Sequence, residues 1–196
     1  MKNLKLKLSR FIIKLFGNVQ FFTGPLFCLL WGDTHYKVKG AEAREIINNL
    51  KAGDIMLYRF DRYFSTWFIP GFWTHVAIYA GKEKIIHATT HGVIEDDILT
   101  FLRTDYVNVL RPNVSNRHSR DAVKRAREML GKEYDFLFDT TDDERMYCSE
   151  VVKNSYPELF KEMKGGAIPP DEFRNIGMEE IHNSVTWRKD KEKDNG

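Results

Sequence analysis

The chain has 196 residues, of which 42% are hydrophobic and 13% aromatic, enough for one domain with a buried core plus an additional segment. Its 30 basic and 28 acidic residues leave a net charge of +2, so nucleic acid is not expected as a partner. Two cysteines without CxxC or zinc-ligand spacing cannot build a disulfide framework. One disulfide between Cys28 and Cys148 remains arithmetically possible.

The first segment, residues 1–40, differs from the rest in its charge and apolar pattern. Apolar residues at helical spacing share one face, with basic residues on another: Leu4, Leu8, Phe11, Ile12 and Leu15 against Lys7, Arg10 and Lys14. A basic amphipathic helix of this kind lies in a membrane interface or packs on its own domain. Both interpretations stay open, and residues 1–31 are the candidate membrane contact.

The apolar stretch "VQFFTGPLFCLLWG" that follows is broken by Gly24-Pro25. It is shorter than the about 20 residues that span a bilayer as a helix. Lys14 and Asn18 interrupt the apolar run, and no small-residue cleavage site follows, which argues against a signal peptide. We therefore expect a cytoplasmic protein or one peripheral to the membrane.

Residues 41–185 read as one domain of mixed helices and strands. A short helix ends near Gly53, and "DIMLYRF" is a strand. Two further strands in "HVAIYAGKEKIIHAT" are joined by a tight turn at Gly81-Lys82, and "GVIEDDI" and "YVNVLRP" add two more. We predict an α+β fold in which a short antiparallel sheet or partial barrel packs against helices.

Three helical stretches are predicted in the second half. The first begins at a Ser119 cap and ends at Gly131. The second begins near Cys148 and stops at Pro157, and "IPPDEFRNIG" forms a short helix that begins near Asp171. The charged residues 186–196 are predicted to be a disordered tail.

Cys148 is the residue around which a chemical function can be built. At the start of a helix, unpaired N–H groups and the helix dipole favour an anion and therefore a thiolate. The alternative is that Cys148 is a small buried apolar residue. A nucleophilic thiol also needs a general base and a group that orients the base.

Two of the six histidines are candidates for these roles. His75 opens one strand of the predicted hairpin, and His87 lies twelve residues later on the other. If both side chains face the same side, His87 can bond to His75 and orient it. Each histidine taken alone is more typical of an ordinary core or surface residue.

A cluster of aromatic residues immediately precedes His75. This aromatic loop (residues 62–73) contains the candidate substrate-binding residues Trp67, Phe68, Phe72 and Trp73. They form either local core packing or an apolar wall beside the nucleophile, suited to an acyl chain or an apolar side chain.

The segments "GDIMLYRF", "THVAIYAGKEKIIHAT", "GKEYDF" and "YCSEVVKNSY", in this order, resemble the permuted papain-like cysteine hydrolases of the NlpC superfamily. The YiiX/YebB-like branch is the most similar, and lecithin:retinol acyltransferases are relatives. The resemblance covers about residues 50–172. It implies Cys148 as nucleophile, His75 as base and His87 as the third polar residue, where many bacterial members have glutamate and the acyltransferases histidine.

The resemblance implies acyl chemistry through a thioester acyl-enzyme. The backbone N–H of Cys148, with Tyr58 as a second donor, would hold the oxyanion. We predict an amidase or peptidase without a cofactor or metal, acting on a peptide, an amide or an acyl lipid. The alternatives are a lipid acyltransferase or phospholipase and a non-catalytic lipid-binding module. Sequence leaves the oligomeric state open.

Overall fold

The computed structural model describes residues 7, 19–22, 28–31, 36–61, 63–138, 144–161 and 166–194. The strands are β1 Val19–Phe22, β2 Cys28–Trp31, β3 Ile55–Arg59, β4 His75–Gly81, β5 Lys84–Thr89, β6 Gly92–Asp97, β7 Tyr106–Arg111, β8 Glu133–Tyr134, β9 Arg145–Met146 and β10 Glu179–Asn183. The helices are α1 Gly40–Asn49, α2 Ile98–Phe101, α3 Asn116–Glu128, α4 Cys148–Ser155 and α5 Ser184–Asp194, with 3-10 helices at Phe64–Trp67 and Pro170–Ile176.

A six-stranded antiparallel sheet forms the centre of the domain, in the order β10-β7-β3-β4-β5-β6. Among the described residues the sheet stays open and does not close into a barrel. The predicted α+β class with a short antiparallel sheet is therefore confirmed. Two-stranded pairs β1-β2 and β8-β9 lie outside this sheet.

The sheet buries a core on each face, because successive side chains of a strand point to opposite sides. The α4-side core includes Val76, Ile78 and Val151, which come from β4 and α4. The α1-side core includes Ala77 and Phe101, from β4 and α2. Successive side chains of β4 therefore lie alternately in the α4-side core and in the α1-side core.

The "GD" before β3 fixes the position of this central strand. Gly53 has a φ of +96°, and a Cβ there would lie 2.5 Å from the Tyr156 hydroxyl oxygen. Only glycine meets both conditions. The next carboxylate, that of Asp54, accepts hydrogen bonds of 2.8 and 2.7 Å from Arg111, which ties β3 to its neighbour β7.

Two predicted boundaries differ in the structure. The two residues between β4 and β5 are Lys82 and Glu83, with φ of 52° and 60°, one position later than predicted, and Gly81 before them also has a positive φ of 83°. Helix α3 begins at Asn116 with Ser115 as its cap, because the Ser115 hydroxyl oxygen accepts the His118 N–H at 3.4 Å. Ser119, the predicted cap, lies inside the helix instead.

The C-terminal residues form ordered elements that the sequence pattern did not predict. Strand β10 pairs with β7, and residues expected to be a disordered tail are helical in α5 up to residue 194. Arg188 accounts for the docking of this helix, since it donates hydrogen bonds of 3.2 and 3.0 Å to the buried Glu42 of α1. Charge density therefore misled the prediction, because Arg188 is paired with a buried carboxylate.

Most of the N-terminal segment lies outside the described residues, and with it the predicted amphipathic helix. The described part of the apolar stretch forms the antiparallel pair β1-β2, with Val19 opposite Trp31. Strand β1 lies beside the 3-10 helix of the aromatic loop. No helix among the described residues is both long and apolar enough to cross a membrane.

Candidate active site

Cys148 is the first residue of α4, as its position before an apolar helical pattern predicted. The helix begins here because the Glu150 carboxylate accepts the Tyr147 N–H at 3.2 Å, which satisfies a backbone donor at the helix start. Glu150 is buried at 6% exposure and serves this local bond. Cys148 is a free thiol and is itself only 8% exposed.

The sulfur of Cys148 lies among backbone N–H groups. Burial raises the pKa of Cys148, and the nearby backbone of Val76, of Ser149 and of Cys148 itself acts in the opposite direction. Burial has the larger effect, so the resting group is a thiol and not the thiolate that the helix start suggested. The same N–H groups are nevertheless suited to hold negative charge when it develops.

His75 and His87 contact each other directly. Nε2 of His75 lies 2.9 Å from Nδ1 of His87, a hydrogen bond across the β4–β5 hairpin. Both residues occupy odd positions of strands whose Ala77 and Ile85 face the α1-side core, so both rings stand on the same face. The predicted condition for the pair, a common face, is met.

The surroundings of the two rings keep them neutral. Burial, and then the charge of His87, lowers the pKa of His75 well below its ordinary value. Burial lowers the pKa of His87 to about 4, against the opposing charge of Asp96. Tyr58 stacks on His75 with ring centroids 4.5 Å apart, and Phe101 packs edge-on against His87 at 5.6 Å. Both imidazoles are thus bases in their free form at neutral pH.

Cys148 shares the α4-side core with Val76, whereas the His75 ring stands on the α1-side face of the sheet. The Val76 backbone next to His75 lies near the Cys148 sulfur, while the His75 ring packs against Tyr58 and Phe101. No hydrogen bond between the sulfur and either imidazole is present among the described residues. Because Nε2 of His75 contacts Nδ1 of His87, Nδ1 of His75 is the ring nitrogen available to another group.

The aromatic loop separates into exposed and buried residues. Trp67 and Phe68 are exposed at 65% and 78%, and Phe72 at 38%. Trp73 differs from them because it is 1% exposed and belongs to the α4-side core, together with Cys148. The core-packing alternative therefore describes Trp73, and the other three remain candidates for substrate contact.

Asp171 holds this loop against the body of the domain. Its Oδ1 accepts the backbone N–H groups of Phe72 and Trp73, at 2.8 and 3.0 Å. A Cβ at position 71 would lie 2.4 Å from the Asp171 Cβ. Only glycine at this position therefore lets the loop backbone pack so closely against Asp171. The sequence placed Asp171 near a helix start but gave no sign of this contact.

Tyr134, like Asp171, was assigned no role from the sequence, and it lies near the Cys148 thiol. Burial, then the thiol of Cys148 and the phenol of Tyr58, raises the pKa of Tyr134 well above its ordinary value. The signal was available, because Tyr134 lies in the quoted segment "GKEYDF". Tyr58 itself is placed by its stack on His75.

Side chains of the types that ligate metal ions also lie near the candidate site in the described part of the chain. In the ranges that the structure describes, no group of three or more His, Cys, Asp and Glu side chains could hold a metal ion. His91, four residues after His87, is exposed beyond the end of β5.

Comparison with known proteins identifies the family of the chain. The sequence model of the family described as "permuted papain-like amidase enzyme, YaeF/YiiX, C92 family" matches residues 49–165. This range contains β3 to β7, α3 and α4, and therefore Cys148, His75 and His87. No curated protein and no solved structure matches the chain. The chain thus belongs to the permuted papain-like amidases of the YaeF/YiiX family.

Proposed function

We propose that this protein is a cysteine hydrolase of the amidase or peptidase type, with Cys148 as nucleophile, His75 as general base and His87 as its orienting residue. The observation that supports this proposal most directly is the 2.9 Å contact between the two imidazoles, at the start of the strand whose Val76 packs in one core with Cys148. Membership in a family of amidases supports the same reaction class.

The reaction begins from a neutral pair, because burial raises the pKa of Cys148 and lowers that of His75. Nδ1 of His75 takes the thiol proton while the sulfur attacks the carbonyl carbon. When the tetrahedral intermediate collapses, the C–N bond breaks and His75 returns the proton to the leaving amine. Water, deprotonated by the same nitrogen, then cleaves the thioester and restores the thiol.

The oxyanion of the tetrahedral intermediate requires hydrogen-bond donors. The backbone N–H of Cys148, at the start of α4, is the first donor in this proposal. The Tyr58 hydroxyl is the second, since its ring is held against His75 at 4.5 Å. Among the residues that the structure describes, no hydrogen bond joins His75 to the thiol, and in this proposal that bond forms when substrate binds.

Alkylation by iodoacetamide tests the thiol–imidazole pair. In a Cys28→Ser background, His75→Ala should lower the alkylation rate of Cys148 by about 100-fold, because the neutral thiol then lacks the base that takes its proton. His118→Ala, at an exposed histidine of α3, is the matched control and should leave the rate unchanged. Equal rates in the His75→Ala and parent proteins would reject the pair.

The substrate is proposed to be lipid-bearing or part of the cell envelope. Trp67 and Phe68 place two large apolar side chains in solvent on the loop that leads to His75, and such exposed groups are typical of contact with an acyl chain or a membrane. The same observation favours the second candidate, a phospholipase or acyltransferase acting on lipid esters. Both candidates use the same acyl-enzyme.

Incubation with phospholipid vesicles and, separately, with short acylated peptides distinguishes these activities. Release of a new amine supports the amidase, and release of free fatty acid or a transacylated lipid supports the lipid enzyme. Cys148→Ser is the control that should abolish either product. Vesicle binding without any product from the parent protein would support the non-catalytic lipid-binding module instead.

The partner in this proposal is a membrane surface contacted through residues 1–31, with the protein peripheral to that membrane or cytoplasmic. The basic pattern of the N-terminal segment supports it, and β1 lies beside the aromatic loop, which brings the two apolar regions together. Nothing else in the chain is assigned a partner.

A further inference from the structure

The second imidazole carries a polar atom that the proposed triad does not use. His87 is 5% exposed, and its Nε2 is buried without a hydrogen-bond partner among the described residues. A buried ring nitrogen in this state is unusual, because an unmet hydrogen bond costs free energy. Its other nitrogen, Nδ1, is already engaged by His75 at 2.9 Å.

The side chain that faces this nitrogen is Asp96. Its Oδ2 lies 4.0 Å from Nε2 of His87. In the β5–β6 register His87 is opposite Ile94, so Asp96, two residues further, stands on the same face as His87. Oδ1 of Asp96 accepts the N–H of Asp97 at 2.7 Å, which fixes the carboxylate and leaves Oδ2 directed at the imidazole.

We propose that Asp96 is a positioning residue of this active site, which fixes the tautomer of His87 and, through it, that of His75. The inference rests on the proposed cysteine chemistry. A histidine in the third position has no carboxylate of its own. Asp96 supplies one as the fourth group in the series Cys148, His75, His87 and Asp96. Asp96 touches neither the substrate nor the reacting atoms.

The role of Asp96 depends on the directions in which the imidazole protons point. To accept the thiol proton, His75 needs a free lone pair on Nδ1, so its proton sits on Nε2 and is donated to Nδ1 of His87. His87 must then carry its own proton on Nε2. That proton faces the Asp96 carboxylate, which can only accept.

The opposite tautomer would disable the base. If His87 were protonated on Nδ1, it would donate to Nε2 of His75, and the His75 proton would move to Nδ1, where the thiol has to deliver its own. The other groups around His87 do not choose between the two states. Phe101 of α2 is apolar, and His75 can act as donor or acceptor. Asp96 is the charged group that selects one state.

The imidazole tautomers can be read directly by two-bond ¹H–¹⁵N NMR correlation on protein labelled at histidine. We expect His87 to be protonated on Nε2 in the parent protein, and Asp96→Asn to populate the Nδ1 form, because an amide can donate to Nε2. Glu95→Gln is the matched control: it removes a carboxylate from the neighbouring position of β6, which pairs with Arg127 at 3.3 Å. It should leave the tautomer unchanged.

Iodoacetamide alkylation of Cys148, in the Cys28→Ser background, supplies the second readout. Asp96→Asn should lower the rate by about 10-fold, Asp96→Glu should restore much of it, and Glu95→Gln should have no effect. Unchanged tautomers in Asp96→Asn would overturn the inference, as would an equal loss of rate in Glu95→Gln.

The two proposals can fail separately. If His75→Ala leaves the alkylation rate unaltered, the cysteine chemistry fails, whatever the tautomers are. If His75→Ala lowers the rate while Asp96→Asn changes neither the rate nor the tautomers, only the role of Asp96 fails.

Discussion

His87 shows how burial of one titratable side chain ties stability to pH. Burial lowers its pKa to about 4 in the folded protein, whereas an exposed histidine titrates near 6.5. Between these values the unfolded chain binds a proton that the folded protein does not. The contribution of neutral His87 to the free energy of unfolding is therefore fully present above the unfolded pKa. It is lost as the pH falls towards the folded pKa, and the loss amounts to about 3 kcal/mol for this residue. The lowered pKa of His75 adds a loss of the same sign.

Replacing His87 with glutamine should flatten this dependence. Between pH 7 and pH 5, the free energy of unfolding of the parent protein should fall by about 2 kcal/mol more than that of His87→Gln, because glutamine does not titrate. Urea denaturation at the two pH values measures the difference. His91→Gln, at an exposed histidine near the end of the same strand, should keep the parent slope. The same slope in His87→Gln would show that His87 is not the source.

Among the elements, the aromatic loop depends on one distant carboxylate for its position. Oδ1 of Asp171 receives two backbone N–H groups of this loop, from Phe72 and Trp73, immediately before β4 begins at His75. These bonds join residues 98 and 99 positions apart in the chain. The start of β4, and with it the direction of the His75 ring, is therefore set partly by the 3-10 helix Pro170–Ile176.

Asp171→Ala should loosen the loop without unfolding the domain. We expect the amide protons of Phe72 and Trp73 to exchange about 10-fold faster, since each loses a hydrogen bond to a charged acceptor. Hydrogen exchange followed by NMR measures this change. Glu172→Ala, at an exposed carboxylate of the same 3-10 helix, is the control. Unchanged exchange at both amides in Asp171→Ala would mean that the loop is held by its aromatic contacts instead.

Helix α5 is attached through a buried charge cluster. Burial alone would raise the pKa of Glu42, but hydrogen bonds from His182, Ser184 and Arg188 lower it below its ordinary value. Glu42 is 2% exposed and therefore depends on these partners. Removing one partner leaves a buried carboxylate only partly compensated.

Arg188→Ala should accordingly destabilise the protein by about 2 kcal/mol or more. Lys189→Ala, which removes the same charge from an exposed neighbour on α5, should change stability by less than about 0.5 kcal/mol. Thermal or urea denaturation of the two variants provides the comparison. Similar stabilities would show that α5 contributes little to the folded domain, as its charged sequence first suggested.

At the scale of the whole molecule, the sequence predicted what depends on local periodicity. The strands that carry His75 and His87 could be located because apolar alternation and a turn enclose them, and the start of α4 because its apolar pattern begins there. Strand β10 and helix α5 were not predicted, because the sequences "EEIHN" and "SVTWRKDKEKD" are stabilised by distant partners such as Glu42. The thiol's pKa was not predicted either, because burial is a property of the assembled core.

The membrane contact proposed above would involve two regions of the domain, the aromatic loop and the N-terminal segment. Trp67 and Phe68 project into solvent from the aromatic loop, and β1 of the basic N-terminal segment lies beside the same loop. If both contact one lipid surface, the proposed nucleophile Cys148, which shares a core with Trp73 of this loop, would lie on the side of the domain that faces the lipid. Binding would then combine burial of the aromatic rings with attraction between lysines and anionic headgroups.

Sedimentation with anionic vesicles tests this geometry in the full-length chain. Replacing Trp67 and Phe68 with serine should weaken vesicle binding by about 10-fold or more, because two large apolar side chains no longer enter the interface, and should leave thermal stability unchanged because both side chains are exposed. Leu99→Ser, at an apolar residue of α2 that is 61% exposed, is the matched control and should bind like the parent protein. Binding should also weaken with added salt if the N-terminal lysines take part. Equal binding by the loop variant and the Leu99→Ser control would separate the aromatic loop from any membrane contact and leave it as a wall for the substrate.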